Sequence, residues 1–301
     1  MNGAVGALGA LSLAQPGRDR YEALARQAQA LKHVVPEFAS LAASAIIPDT
    51  LKGSVFTWNT STSRYARSAT TGGPATGVRF VLYATAPGAH APSLPLVQVG
   101  YADLLDLSSG GWATLQIVVK NTAESVTFLD YTFSGTGSPS SFSAAVSGMV
   151  TNGLAGAANK TLTFSIAISG STNSVSLTLS LSLNNPAVTV QESVTIADDG
   201  LTTTLTIDFT FTRPGESVRL AGTVARLNSD GSATINITIT VNGGTFAVVK
   251  GTSSQPVITR SAGGQATADE LAAVTYLLMA AADVSEKVTA LFEPARRSLG
   301  L

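Results

Sequence analysis

Asp103 and Asp106, three residues apart in GYADLLDLSSGG, come nearest in this sequence to a metal-binding spacing. Two acids in one loop can reach a single calcium ion when further oxygen donors fold beside them, and Glu124 and Asp130 are the acids at hand to do so. Acids that cap turns or face water have the same spacing, so no metal ligand is assigned. The two histidines, His33 in a helical stretch and His90 in a Pro-rich loop, have no third imidazole and no HExxH spacing to make a zinc site. No G-x-S-x-G elbow, phosphate loop or dinucleotide fingerprint occurs. The sequence therefore assigns no catalytic residue and no cofactor, and the expectation is a protein that is not an enzyme.

Aromatic side chains offer a second kind of site. Trp58, Tyr83, Tyr101 and Trp112, with Tyr65 and Tyr131, could line a groove that stacks on sugars or holds an apolar ligand, because each ring joins a large contact area to a polar tip. The same residues serve equally as the core of a small sheet.

Composition narrows the partners. The chain has 301 residues, a formal net charge of −1 and 12% charged residues, roughly half the usual share. There is no Lys/Arg-rich run to attract nucleic acid or an anionic membrane. Cysteine is absent, which removes disulfides, thiolate catalysis and Cys-based metal sites. Low charge with abundant Gly, Ser, Thr and Ala points to an exported protein: extracellular, cell-surface or periplasmic. Residues 1–17 form a signal-like or flexible tail, in which Ser12-Leu13-Ala14 before Gln15 fits a small-x-small cleavage pattern, although no Lys or Arg precedes the apolar run. An apolar strand that docks on another surface is the other reading of this tail.

The elements that must carry these residues follow from periodicity. Over 18–48 the spacing predicts an N-terminal helix with Leu24, Ala28, Leu31, Val35 and Phe38 on one face. From Gly53 to about Arg260 the period is two, with turn signals at Asn152-Gly153, Asp199-Gly200, Asp230-Gly231 and Asn242-Gly243. Residues 53–134 read as an aromatic-rich β subdomain, and 142–260 as an antiparallel β-meander. In the meander Leu162/Phe164/Ile166/Ile168 and Leu205/Ile207/Phe209/Phe211 form continuous apolar faces opposite Ser and Thr. Over 267–295 a capping box, Thr267 to Glu270, opens a C-terminal helix with Leu271, Val274, Leu278, Ala281, Val288 and Phe292 in one stripe. The fold expected is mainly β (α+β): a large curled antiparallel meander or sandwich with both amphipathic helices packed on its concave face.

Between Tyr131 and Gln191 the only charged residue is Lys160, so these strands are expected at the centre of a sheet or with their edges covered by another chain. The functional expectation is an exported, non-enzymatic structural protein that assembles with copies of itself as a surface-layer or fibre subunit. The alternative is a periplasmic or lipoprotein-like carrier of a lipid or other hydrophobic ligand. A transmembrane β-barrel fits less well, because residues 142–260 lack aromatic girdles and the chain ends in a helical pattern. A water-ordering threonine ladder at Thr202, Thr204, Thr206, Thr210 and Thr212 lacks a fixed-length repeat to stack it.

Overall fold

The computed structural model describes residues 46–89, 91–138, 140–252, 255–261, 263–264, 266–270, 272–274 and 276–277. Fifteen strands make up this part of the chain: β1 (Ser54–Asn59), β2 (Arg64–Thr71), β3 (Gly77–Tyr83), β4 (Gln98–Asp106), β5 (Ala113–Asn121), β6 (Thr127–Ser138), β7 (Ser141–Thr151), β8 (Thr161–Ser171), β9 (Ser174–Asn184), β10 (Ala187–Asp198), β11 (Thr202–Arg213), β12 (Glu216–Leu227), β13 (Ala233–Val241), β14 (Gly244–Thr252) and β15 (Gln255–Arg260). All belong to one open sheet in the order β15 down to β3, then β1 and β2. From β3 onward each strand pairs antiparallel with the next, as alternating segments joined by tight turns must. The Asn-Gly and Asp-Gly pairs read as turns all fall in connections, with Gly153, Gly200, Gly231 and Gly243 at positive φ.

Two features depart from the sequence expectation. The sheet is mixed, because β1 pairs parallel with β3 while β2 returns along its other side as the edge strand. The chain crosses from β2 to β3 through Gly72-Gly73, and a Cβ on Gly73 would lie 2.5 Å from the Ser54 carbonyl oxygen. Only glycine lets the crossover run that close to β1. The second departure concerns the helices: among the described residues the sheet is accompanied only by a 3-10 turn at Gly156–Ala158 and a short helical stretch from 268, so the two expected amphipathic helices packed on the sheet are not supported. The predicted helix over 18–48 lies outside the described residues apart from its last three. Of the one over 267–295, helical conformation is described at 268–270, 272–274 and 276–277. Its first turn carries the expected capping box: Glu270 N–H donates to Thr267 Oγ1 at 3.3 Å, and Thr267 N–H donates to Glu270 Oε2 at 2.8 Å.

Register puts most of the large apolar side chains of the central strands on one face, with Val118 and Met149 among the exceptions on the other. Asp106, Leu115, Phe133, Val146, Ile166, Leu179, Glu192, Phe209, Leu220, Ile239 and Ala247 lie side by side across β4 to β14, and none is more than 8% exposed. Two clusters fill this face. One spans β5 to β9 and takes in Ile46; the other spans β10 to β15 and takes in Val274 and Leu277. Burial of this extent on one face is the main source of the sheet's stability.

Candidate functional surface

The opposite face carries hydroxyls. In β8 it presents Thr163, Ser165, Ala167, Ser169 and Ser171; in β9, Ser176, Thr178, Ser180 and Ser182; in β10, Thr189, Gln191, Ser193 and Thr195. These align across strands: Thr136, Ser143, Ser169, Ser176, Thr195, Thr206 and Thr223 form one row from β6 to β12. Within it Ser176 and Thr195 share a hydrogen bond of 3.1 Å. Alternation places every second residue on this side, so the pattern was legible in the sequence; its alignment from strand to strand was not.

Charge on this face is confined to its flanks. On β3 and β4, Arg79 Nε and Nη2 donate to the two Asp103 carboxylate oxygens at 2.7 Å each, and Nη1 donates to Glu124 Oε1 at 2.8 Å. The guanidinium lies 4.6 Å from the centre of the Tyr101 ring. Hydrogen bonding to Asp103 holds Arg79 even more firmly protonated than an ordinary arginine, against the opposing effect of burial and with support from Glu124. Next along, Gln116 Nε2 donates to Asp130 Oδ1 at 2.9 Å. On the other flank Arg219 of β12 donates to both oxygens of Asp208 on β11, at 2.8 and 2.6 Å. Arg219 lowers the Asp208 pKa, against partial burial. Between these flanks, the positions that β7 to β10 turn to this side carry no charged side chain.

The residues singled out from sequence are distributed over both faces. Asp103 and Asp106 point to opposite sides of β4, since they pair with Val118 and Leu115, and so do not share an ion. Asp106 instead accepts the backbone N–H of Ile47 at 3.2 Å and of Ser108 at 3.1 Å. Burial works against its ionised form, but hydrogen bonds from Ser108, Ile47 and Ile46 outweigh it and lower its pKa. No cluster of three or more potential metal ligands occurs among the described residues. Trp58 packs edge-on to Tyr65 at 5.5 Å, and Tyr65 in turn edge-on to Phe80 at 5.4 Å. Phe80 pairs with Ala102, which puts this aromatic chain on the apolar side and Tyr101, under Arg79, on the other. Tyr83 ends β3, and Trp112 lies in the β4–β5 connection at 42% exposure. His33 and His90 lie outside the described residues.

Glu192 is the placement that sequence reading passed over. It is 3% exposed and stands between Leu179 and Phe209 in the buried row. Val190, Val194 and Ile196 on the same strand carry the apolar face, and counting by two from them would have found it.

No family model, curated protein or solved structure matches the chain.

Proposed function

We propose that the protein is a non-enzymatic structural subunit, exported from the cell, that packs against copies of itself through its hydroxyl-lined face. One observation carries this reading: the outward positions of β7 to β10 form an aligned field of hydroxyls without a charge, bounded on both sides by ion pairs that neutralise themselves. Two such fields can approach without electrostatic cost, and a charged face cannot. Growth by strand addition is the less favoured route, because edge strand β2 carries exposed Arg64 and Arg67, while β15 is short and contains Pro256. The amphipathic stretches at 18–48 and 267–295 serve in this reading as the filling of the apolar face. The location of Ile46 in one cluster, and of Val274 and Leu277 in the other, supports that role. The same filling speaks against a carrier, whose sheet would keep a cavity where Leu115, Phe133, Ile166 and Ile239 are instead buried.

Sedimentation velocity over a range of concentrations tests the proposal. The expected result is concentration-dependent association that the double substitution Ser165→Lys with Ser180→Lys disperses, with an unchanged β circular-dichroism spectrum. A wild-type chain that stays monomeric at all concentrations would refute it.

A further inference from the structure

Trp112 stands on the hydroxyl side of the sheet with 42% of its surface exposed. It directly precedes Ala113, which is 1% exposed on the apolar face, so alternation turns the indole to the opposite side. The turn that presents it is fixed. Trp112 N–H donates to the Ser109 carbonyl oxygen at 2.9 Å, Ser109 N–H donates to that of Trp112 at 3.1 Å, and Gly110 and Gly111 take the positive φ that a two-residue hairpin loop requires. From β6, Thr136 Oγ1 donates to the Gly111 carbonyl oxygen at 2.9 Å. Trp58 packs on Tyr65, and Tyr101 lies under Arg79, but no ring or cation stacks on Trp112 among the described residues.

Beside the indole, the same side of β5 and β6 carries open hydrogen-bonding groups. Gln116 Nε2 donates to Asp130 Oδ1 at 2.9 Å, which leaves Gln116 Oε1 and Asp130 Oδ2 as acceptors. Thr132 pairs with Gln116 across the two strands and Ser134 lies two residues on; neither hydroxyl makes a hydrogen bond among the described residues. Along the chain, Gln116 is about 13 Å from Trp112, the reach of a short oligosaccharide. The C–H face of a pyranose ring stacks on an aromatic ring, and the hydroxyls at its rim need both donors and acceptors. An alkyl chain would desolvate Gln116 and Asp130 without replacing their partners, and a polyanion would meet the Asp130 carboxylate.

We propose that Trp112 and the Gln116–Asp130 pair bind a neutral polysaccharide, one sugar ring on the indole and the next ones along β5 and β6. This strip lies outside the field of β7 to β10, and the proposal does not rest on the contact between copies. A subunit can therefore hold a glycan and a neighbour at once.

Depletion isotherms of the full-length chain on insoluble cellulose, chitin, curdlan and starch test the site. The expected result is binding to at least one of them, weakened roughly tenfold or more by Trp112→Ala and less by Gln116→Ala. Trp112→Phe, which keeps a ring to stack on, should retain much of the affinity, and Trp58→Phe, on the apolar side, should bind as the wild type does. Circular dichroism checks that each variant keeps the β spectrum. Binding to none of the polysaccharides, or binding that Trp112→Ala leaves unchanged, would overturn the proposal. So would a Trp112→Ala variant that loses self-association in sedimentation velocity and keeps glycan binding, which would make the indole part of the contact between copies.

Discussion

Arg79 and Asp103 face each other directly across β3 and β4 and are joined by two parallel hydrogen bonds of 2.7 Å, with side chains 17% and 12% exposed. Arg219 and Asp208 make the same fork between β12 and β11, yet are 52% and 42% exposed. Equal geometry in unequal solvent should give unequal energies. Arg79→Ala leaves a mostly buried carboxylate without its main donors and is expected to cost about 2–3 kcal/mol. Arg219→Ala is expected to cost less than about 1 kcal/mol. Urea unfolding of both variants checks the ordering, and equal losses would contradict the burial argument.

Asp106 ties Ile47 to the end of β4, and its pKa is lowered by Ser108, Ile47 and Ile46 despite burial. A carboxyl whose folded pKa lies below its unfolded value stabilises the fold above the unfolded pKa. That contribution disappears as pH falls through the folded value. Asp106→Asn should therefore be less stable than wild type near neutrality, with the gap closing from about pH 4 downward. Thermal melts at a series of pH values measure the gap, and a constant difference down to acid pH would show that Asp106 does not act through its charge.

Gly222, on β12, has no room for a side chain. A Cβ there would lie 2.1 Å from the Asn236 carbonyl oxygen and 2.6 Å from the Ile237 Cα, both backbone atoms of β13. Gly222→Ala should force the strands apart and cost about 3 kcal/mol, at the upper end of overpacking effects. A variant with wild-type denaturation midpoint would mean that the strand spacing at this point is not as tight as the register requires.

Arg64 and Arg67 stand exposed on edge strand β2, where charge disfavours pairing with another strand, and replacing both tests that role. Arg64→Thr with Arg67→Thr retains strand propensity and removes the charge. Light scattering at moderate concentration should show new aggregation beyond any wild-type assembly. If scattering stays at the wild-type level, β2 is protected by some other means.

The sequence made the meander legible because its apolar face is continuous at period two from Leu162 to Val249, with turns marked by Asn-Gly and Asp-Gly. The placement of charge-poor strands at the centre follows from the same reasoning, since β6 to β10 all have neighbours on both sides. Local pattern cannot reveal pairing between non-neighbouring strands, so the parallel contact of β1 with β3 was invisible. Spacing alone also misled at Asp103 and Asp106, where an odd separation within one strand sends two acids to opposite faces. The hydroxyl field was legible one strand at a time. Its alignment into rows depends on register, which the turns set and a single strand does not encode.

If copies meet through the hydroxyl field, the field of one copy lies close to that of the next, and a distance between copies reads this. A nitroxide placed on a single Ser180→Cys, at the middle of the field, reports that distance by pulsed electron spectroscopy at assembling concentrations. Face-to-face packing gives a short, narrow distance distribution between copies, and a much longer one for a label at Thr259→Cys on edge strand β15. A short distance at Thr259 and none at Ser180 would show instead that the sheet grows edge to edge.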